Sequence, residues 1–390
     1  MNFDAQKFFA NSVVALPPSR LGRFFDLVGE RDDVIALSIG EPDFPTPSIG
    51  KQAACLALEK DLTAYGPSKG LPGLRKAVVN YLERKFDLSY DPEKEIVITV
   101  GGSEGILLAI WSILNPGEEI LLPEPCFVSY APAINFIGGI VKPVPSTIEN
   151  KFKITIADLE ARITPKTKAL LLNYPCNPTG ASLDRNELEA IAAFAKKHDI
   201  MVICDEIYAE LTYGSKHVSL ASLPDMKDRT ILISGSSKVH AMTGWRLGYL
   251  CCNAQLMVEI LKLHQYLLMC APTIAQHAAI PCFEEGEDDV AKMFAEYDRR
   301  REYITKRLRA MGLDIVDPEG AFYAFASIKK TGLSSDDFCV NLLNQQSVAV
   351  VPGSAFGESG EGFIRCSYAS SMKTIEIACD RMEAFLQTIK

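Results

Sequence analysis

Between residues 94 and 237 the chain alternates short, unbroken apolar runs with longer stretches in which apolar positions recur every three or four residues. The runs are KEIVITV (94–100), EEILLPEP (118–125), TKALLLNYP (167–175), IMVICDEIY (200–208) and RTILISGSS (229–237). GSEGILLAIWSIL follows the first of them, VSYAPAINFIG the second and DRNELEAIAAFAKKH the third. An unbroken apolar run is a strand covered on both faces, and the longer period marks a helix with one apolar side. The pattern predicts a largely parallel sheet layered between helices, forming a large α/β domain over residues 46–285.

The remainder of the chain is patterned differently. EDDVAKMFAEYDRRREYITKRLRAM (287–311) reads as one long amphipathic helix. Three shorter β-like runs follow, GAFYAFASI, SVAVVPG and FIRCSYA, and then a closing helix, KTIEIACDRMEAFLQTI. This predicts a smaller α+β domain over 286–390, completed by residues 1–45.

Composition narrows the function. The 390 residues are 48% hydrophobic and 23% charged, ample for a large buried core. A net charge of −9 argues against nucleic acid as the main partner, because that binding is built on clustered Lys and Arg. It leaves room for a local basic site that takes a small anion. MNFDAQKFFANSVVAL lacks the basic-then-apolar order of a signal peptide. No segment approaches the roughly 18 apolar residues of a membrane helix. The eleven cysteines are scattered, with no C-x-x-C, and the five histidines include no H-E-x-x-H, so no metal site is expected. Cysteines inside apolar runs, such as Cys204, read as small core residues. The expectation is a cytoplasmic protein with no membrane contact.

The richest segment is SGSSKVHAMTGWRLGY (234–249). Lys238 follows an apolar strand, lies among small Ser and Gly residues, and precedes Arg246 across a Gly-containing turn. Small residues let a ligand come close to the backbone, and a desolvated amine at a strand end is the kind that forms a Schiff base. Taken alone, Lys238 would still read as a surface charge. This stretch resembles the class I/II aminotransferases, whose cofactor lysine sits in a similar S-K-x-x-A-M-T-G-W-R-x-G-Y motif.

The resemblance runs along nearly the whole chain in order, and it implies the fold-type-I architecture of enzymes that use pyridoxal 5'-phosphate. Lys238 would carry the cofactor as a Schiff base. LSIGEPDFPTP (37–47) resembles the N-terminal segment in which Gly40 approaches the substrate carboxylate. YGPSKGLPGLR (65–75) resembles the mobile segment in which Tyr65 reaches the cofactor phosphate of a neighbouring subunit. TVGGSEGI (99–106) resembles the phosphate cup, bringing in Gly102, Ser103 and Glu104. LNYPCNPTG supplies Asn177, ICDEIYAEL supplies Asp205 and Tyr208, and FIRCSYA supplies Arg365.

Each position also has a reading of its own. In GGSEGILLAI a strand gives way to a helix, so free amides and the helix dipole meet at one spot suited to phosphate. An ordinary turn capped by Ser103 is the alternative. Arg246 offers a planar fork to phosphate oxygens, or a surface ion pair. Ser237 would donate a further bond or simply occupy a tight turn. Asp205 ends an apolar strand, so its carboxylate needs a partner: a pyridine nitrogen, a helix cap or a salt bridge. Tyr208 and Asn177 would both reach a ring hydroxyl oxygen, although the asparagine alone is a turn residue. Phe127 resembles the aromatic that stacks on the cofactor ring, where relatives often carry Tyr or Trp, and otherwise reads as core. Glu104 stands where some relatives carry a basic residue, which leaves only its backbone amide for phosphate. Val239–His240 replaces the commoner pair after the lysine, and His240 is given no catalytic role.

The resemblance implies a homodimer with shared active sites and ping-pong transfer of an amino group between an amino acid and a 2-oxo acid. A carbon–sulfur β-lyase on the same fold is the nearer alternative, and the intact M-T-G-W-R run speaks against it. A non-catalytic ligand-sensing module is the other, and it normally carries an extra N-terminal domain. The branch resembled is that of aspartate, aromatic and N-acetyl-diaminopimelate aminotransferases, and KLHQYLLMCAPTIAQHAA (262–279) resembles its aromatic or N-acetyl-diaminopimelate subgroup. Aspartate or alanine with 2-oxoglutarate are further candidates.

Overall fold

A computed structural model describes residues 5–16, 22 and 33–389. Part of the 1–45 segment assigned to the smaller domain therefore lies outside the described residues. The strands in chain order are β1 (Ile35–Ala36), β2 (Ile96–Thr99), β3 (Glu119–Glu124), β4 (Ile140–Pro145), β5 (Thr167–Asn173), β6 (Met201–Asp205) and β7 (Thr230–Gly235). They continue with β8 (Gly248–Cys251), β9 (Asp314–Ile315), β10 (Tyr323–Ser327), β11 (Val348–Ala349), β12 (Val351–Pro352) and β13 (Phe363–Ser367).

Seven of them form one sheet in the order β2-β8-β7-β6-β5-β3-β4. All its neighbouring pairs are parallel except those of β8, which runs against both β2 and β7. The unbroken apolar runs are explained by the two faces. Leu170, Leu172, Val202, Cys204 and Leu232 point into a core shared with helices Pro72–Phe86, Arg185–Lys197 and Thr273–Glu285. Their neighbours Leu171, Ile203, Ile231 and Ile233 point into a second core against helices Gly101–Ile113 and Ala254–Leu267. With both faces dry, each such Leu or Ile contributes about 1.5–3 kcal/mol of burial, and no polar alternation is tolerated.

Two strands of this sheet depart from the expected pattern. β4 is an edge strand carrying Pro143 and Pro145, with Ile140 largely exposed, so it lacks a continuous apolar signature. β8 begins on Gly248 and Tyr249, the last two residues of the SGSSKVHAMTGWRLGY stretch, and ends at Cys251, so the motif masks its short apolar run.

The second sheet has the order β12-β13-β10-β9 and is antiparallel throughout. It packs on helices Glu287–Ala310, Ser335–Gln346 and Met372–Thr388 around Phe322, Phe338, Ile375 and Phe385. The run SVAVVPG divides between two sheets. β11 pairs in parallel with β1, and β12 joins β13 two residues later. No helix among the described residues is long and apolar enough to cross a membrane. The eleven cysteines are all free, including the adjacent Cys251 and Cys252.

Candidate active site

The carboxyl ends of parallel strands point their last side chains and the following loops into one crevice, the usual ligand position of such sheets. Here Asn173 ends β5, Asp205 ends β6, and a short helix, Ser236–Val239, carries Lys238 straight after β7. They border a cleft of about 340 Å³. Of the thirteen residues singled out in the sequence, Gly40, Gly102, Ser103, Phe127, Asn177, Asp205, Tyr208, Ser237, Lys238, Arg246 and Arg365 all line it. Glu104 and Tyr65 do not.

Asp205 is 5% exposed. Its Oδ2 accepts a hydrogen bond from the Tyr130 hydroxyl at 2.7 Å, and its Oδ1 accepts from the Ile207 amide at 3.1 Å. Burial nevertheless pushes this carboxyl up to about 6, with the Tyr130 and Ile207 bonds pulling the other way. Lys238 shows the opposite effect of the same cause. Burial, and then the Arg365 charge, bring its amine down to about 8. Lys238 Nζ donates to the Gly40 carbonyl and lies 5.7 Å from the centre of the Phe322 ring. Gly40 itself is hemmed in, since a Cβ there would stand 2.3 Å from the Tyr323 hydroxyl.

At one end of the cleft is the start of helix Gly101–Ile113. Its first amides have no acceptor within the helix. Val100 precedes it without a side-chain cap, and Ser103 lies inside the first turn rather than capping it. Gly101 has φ +70, and a Cβ there would lie 2.8 Å from Arg246 Nη2. A side chain at 101 would thus be both strained and in the way of the guanidinium. Arg246 donates to the Thr243 carbonyl at 3.2 Å, and among the described residues no carboxylate pairs with it.

At the other end Arg365, in β13, is 3% exposed. Its Nη1 donates to Asn177 Oδ1 at 2.8 Å and its Nη2 to the Ser38 carbonyl at 2.7 Å. The guanidinium lies 4.4 Å from the Tyr323 ring centre and 4.9 Å from that of Phe356. Its Nε has no partner, and no carboxylate among the described residues faces it. A buried cation without a counter-ion is costly unless an anion completes it.

Tyr130 and Tyr323 escaped the sequence reading. Tyr323 shares a 2.8 Å hydroxyl contact with Tyr208, and both tyrosines line the cleft. Tyr130 follows Phe127 by three residues, the spacing that puts two side chains on one side of a turn. That spacing was the available signal. In GAFYAFASI, Tyr323 is masked by aromatic core residues on either side. Glu104 is buried with its carboxylate turned away from the cleft, towards His264. Tyr65 is 82% exposed and does not touch the cleft of its own chain. His240 is buried edge-on to Phe283, and burial alone brings its ring down to about 3.

The sequence model for aminotransferase class I and II matches residues 32–382. The chain belongs to this family. Its aminotransferase relatives include the aspartate aminotransferase of Pyrococcus abyssi, 46% identical over 96% of this chain and 97% of that one. The aromatic-amino-acid aminotransferase 2 of Thermococcus litoralis is 45% identical over the same shares. The solved aspartate aminotransferase of Thermus thermophilus with maleate superimposes with a TM-score of 0.92, covering 97% of this chain and 99% of that one at 35% identity. This aminotransferase is therefore an enzyme that transfers amino groups, on the fold-type-I architecture expected from its sequence. Members of the family use pyridoxal phosphate.

Proposed function

We propose that the chain is a pyridoxal-phosphate-dependent aminotransferase acting on amino acids with uncharged, apolar or aromatic side chains. The observation that carries this reading is the buried, uncompensated Arg365 guanidinium sharing a cleft with a desolvated lysine and a buried carboxylate. The residues present fit the cofactor. The amides of Gly102, Ser103 and Glu104, with Arg246 and Ser237, would hold a phosphate. Gly101 leaves the guanidinium room to do so. Phe127 would stack on the ring, and Asn177 and Tyr208 would serve its hydroxyl oxygen. Asp205 would face the ring nitrogen and keep it protonated.

Pyridoxal phosphate, when bound, supplies an aldehyde for the amino group and a ring that withdraws negative charge from the substrate Cα. The protein's own groups do the rest. Arg365 binds the α-carboxylate with donors that Asn177 and Ser38 leave unspent, beside Gly40. Lys238, an amine near 8, takes up the Cα proton at Nζ and later returns it, as base and then acid. Tyr130 holds the Asp205 carboxylate in place with its 2.7 Å bond. Tyr323 fixes the Tyr208 hydroxyl.

The side-chain preference rests on charge. Among the described residues the cations lining the cleft are Lys238, Arg246 and Arg365, each already engaged in this scheme. Glu41, which accepts from Thr243 at 3.1 Å, would repel a second carboxylate, and Ile39 and Ile207 add apolar wall. The homodimer belongs to the same reading. Tyr65 protrudes, as do Tyr266 at 92% exposure and Leu267, Leu268 and Met269 after it, and an apolar ridge of this kind fits a partner subunit. We further take residues 46–285 as the cofactor-binding domain, 1–45 with 286–390 as the smaller one, and the cytoplasm as the setting. The test loads the protein with pyridoxal phosphate and adds amino acids singly, following cofactor absorbance and release of 2-oxo acid. Phenylalanine should outperform aspartate. The reading fails if no amino acid changes the cofactor spectrum.

A further inference from the structure

Glu104 poses a problem of charge. It stands in the same helical turn as Gly102 and Ser103, whose amides line the anion end of the cleft. A phosphate ester brings about 1.5–2 negative charges to that turn at neutral pH, and a bare carboxylate beside it would repel the ligand. The side chain is buried rather than dissolved away in solvent, so water does not screen it.

The structure pairs this acid with a histidine that the sequence reading left unassigned. His264, near the end of helix Ala254–Leu267, is fully buried. Its Nδ1 lies 2.6 Å from Glu104 Oε1, and its Nε2 lies 2.8 Å from the Ser68 carbonyl. The other carboxylate oxygen of Glu104 accepts from the Val100 amide at 2.5 Å, at the mouth of the helix. These partners fix the protons. A carbonyl oxygen only accepts, so Nε2 carries a hydrogen. Oε2 accepts from an amide, so any proton between acid and ring lies on the line joining Oε1 to Nδ1. One proton is shared there, and the pair as a whole carries no net charge whichever atom holds it.

We infer that His264 neutralises Glu104, so that the helix start keeps a carboxylate tether on Val100 without repelling a bound phosphate. His264 is thus a positioning residue that acts through Glu104 and touches neither substrate nor cofactor. It also ties the anion end of the cleft to the segment bearing Tyr65. Ser68 belongs to that segment, whose next residue, Lys69, accepts from the Ile98 amide through its carbonyl at 3.0 Å. The inference rests on the proposal that this helix start holds a cofactor phosphate.

The experiment measures equilibrium binding of pyridoxal phosphate and of pyridoxal, which lacks the phosphate, to the full-length protein and three variants. H264Q strands the Glu104 charge and should weaken pyridoxal phosphate by about tenfold or more, while pyridoxal changes by less than about threefold. E104Q satisfies every partner without charge. Its amide oxygen accepts from Val100 and its NH2 donates to a neutral His264 ring, so its phosphate affinity should match or exceed that of the unaltered chain. E104Q/H264Q should recover to within about threefold of the unaltered protein. A double variant no better than H264Q would overturn the inference. So would a loss of about tenfold or more in E104Q alone, which also decides the matter if H264Q fails to fold. If the unaltered protein binds pyridoxal phosphate no better than pyridoxal, the cofactor reading fails first and takes this inference with it.

Discussion

Replacing Arg365 by Met separates binding from folding more cleanly than any other single change. The substitution keeps an unbranched apolar stem between the Tyr323 and Phe356 rings and deletes the guanidinium. On the folding side, two effects oppose. The two bonds to Asn177 Oδ1 and the Ser38 carbonyl disappear, each worth about 1.5–3 kcal/mol because the donor is charged. Against that, a buried cation with no carboxylate partner is removed, and replacing buried charge by well-packed apolar groups is often stabilising by about 1–4 kcal/mol. At mid-range the loss exceeds the gain by about 2 kcal/mol, which in a chain of this length should lower the ligand-free melting temperature by less than about 4 °C. On the binding side nothing compensates. Losing one partner of a desolvated charge pair costs about 2–5 kcal/mol, equivalent to about 30-fold to several-thousandfold. The assay compares kcat/KM for phenylalanine with that for phenethylamine, which lacks the carboxylate. In the Met variant the preference for the amino acid should shrink by about 30-fold or more, with pyridoxal phosphate affinity held within about threefold. Arg365→Lys should fall between, since it restores the charge but not the fork. A surviving preference together with collapsed cofactor affinity would make Arg365 a cofactor or folding residue, and the assignment would fail.

Three other outcomes are expected. Lys238→Ala should abolish covalent attachment, and borohydride reduction with peptide mapping of the unaltered protein should find the pyridoxyl group on Lys238 and on no other lysine. Because only the neutral amine attacks an aldehyde, covalent uptake should rise with pH around a midpoint near 8 rather than 10.5. Asp205→Asn should fold and bind cofactor but turn over far more slowly, and near-normal turnover would put another residue at the ring nitrogen. Burial raises the Asp205 carboxyl from 3.8 to about 6, so the folded chain holds this proton more tightly than the unfolded one. Ionised Asp205 therefore costs on the order of 3 kcal/mol above pH 6. The ligand-free Asn variant should gain up to that much stability at pH 7–8, and the gain should vanish as pH falls to about 4. Finally, mixing Lys238→Ala subunits with weakened Tyr65→Phe subunits should create hybrid sites free of both defects. If subunit exchange is verified and activity never exceeds that of the parents, the shared site is wrong.

The buried strands were legible because a sheet covered on both faces leaves no polar alternation, and β3, β5, β6 and β7 fall within the expected runs. The long helix Glu287–Ala310 was legible for the complementary reason, one apolar stripe sustained over many turns. β4 was not, because an edge position and two prolines remove both signals, and β8 was hidden because its first two residues close the lysine-bearing motif. The cleft followed the same logic. Residues inside an ordered motif were found, and eleven of them converge on one cavity. Tyr130, Tyr323 and His264 act through partners 75, 115 and 160 positions away. Hydrogen bonds between such distant positions leave no local periodicity to read.

The clamp around Arg365 has a consequence for how the protein is made. Its two acceptors are both made long before it, with Ser38 327 positions from the arginine and Asn177 188. The Leu37 carbonyl likewise accepts from the Ser367 amide at 2.7 Å, and β1 pairs in parallel with β11. During translation the strands of the seven-stranded sheet, the lysine and the start of helix Gly101–Ile113 are all available once residue 251 has emerged. The segment at 35–38 must wait for β11 and then, further on, for Arg365 and Ser367. A ribosome-bound chain thus completes the half of the cleft proposed to hold a cofactor well before the half proposed to recognise a substrate.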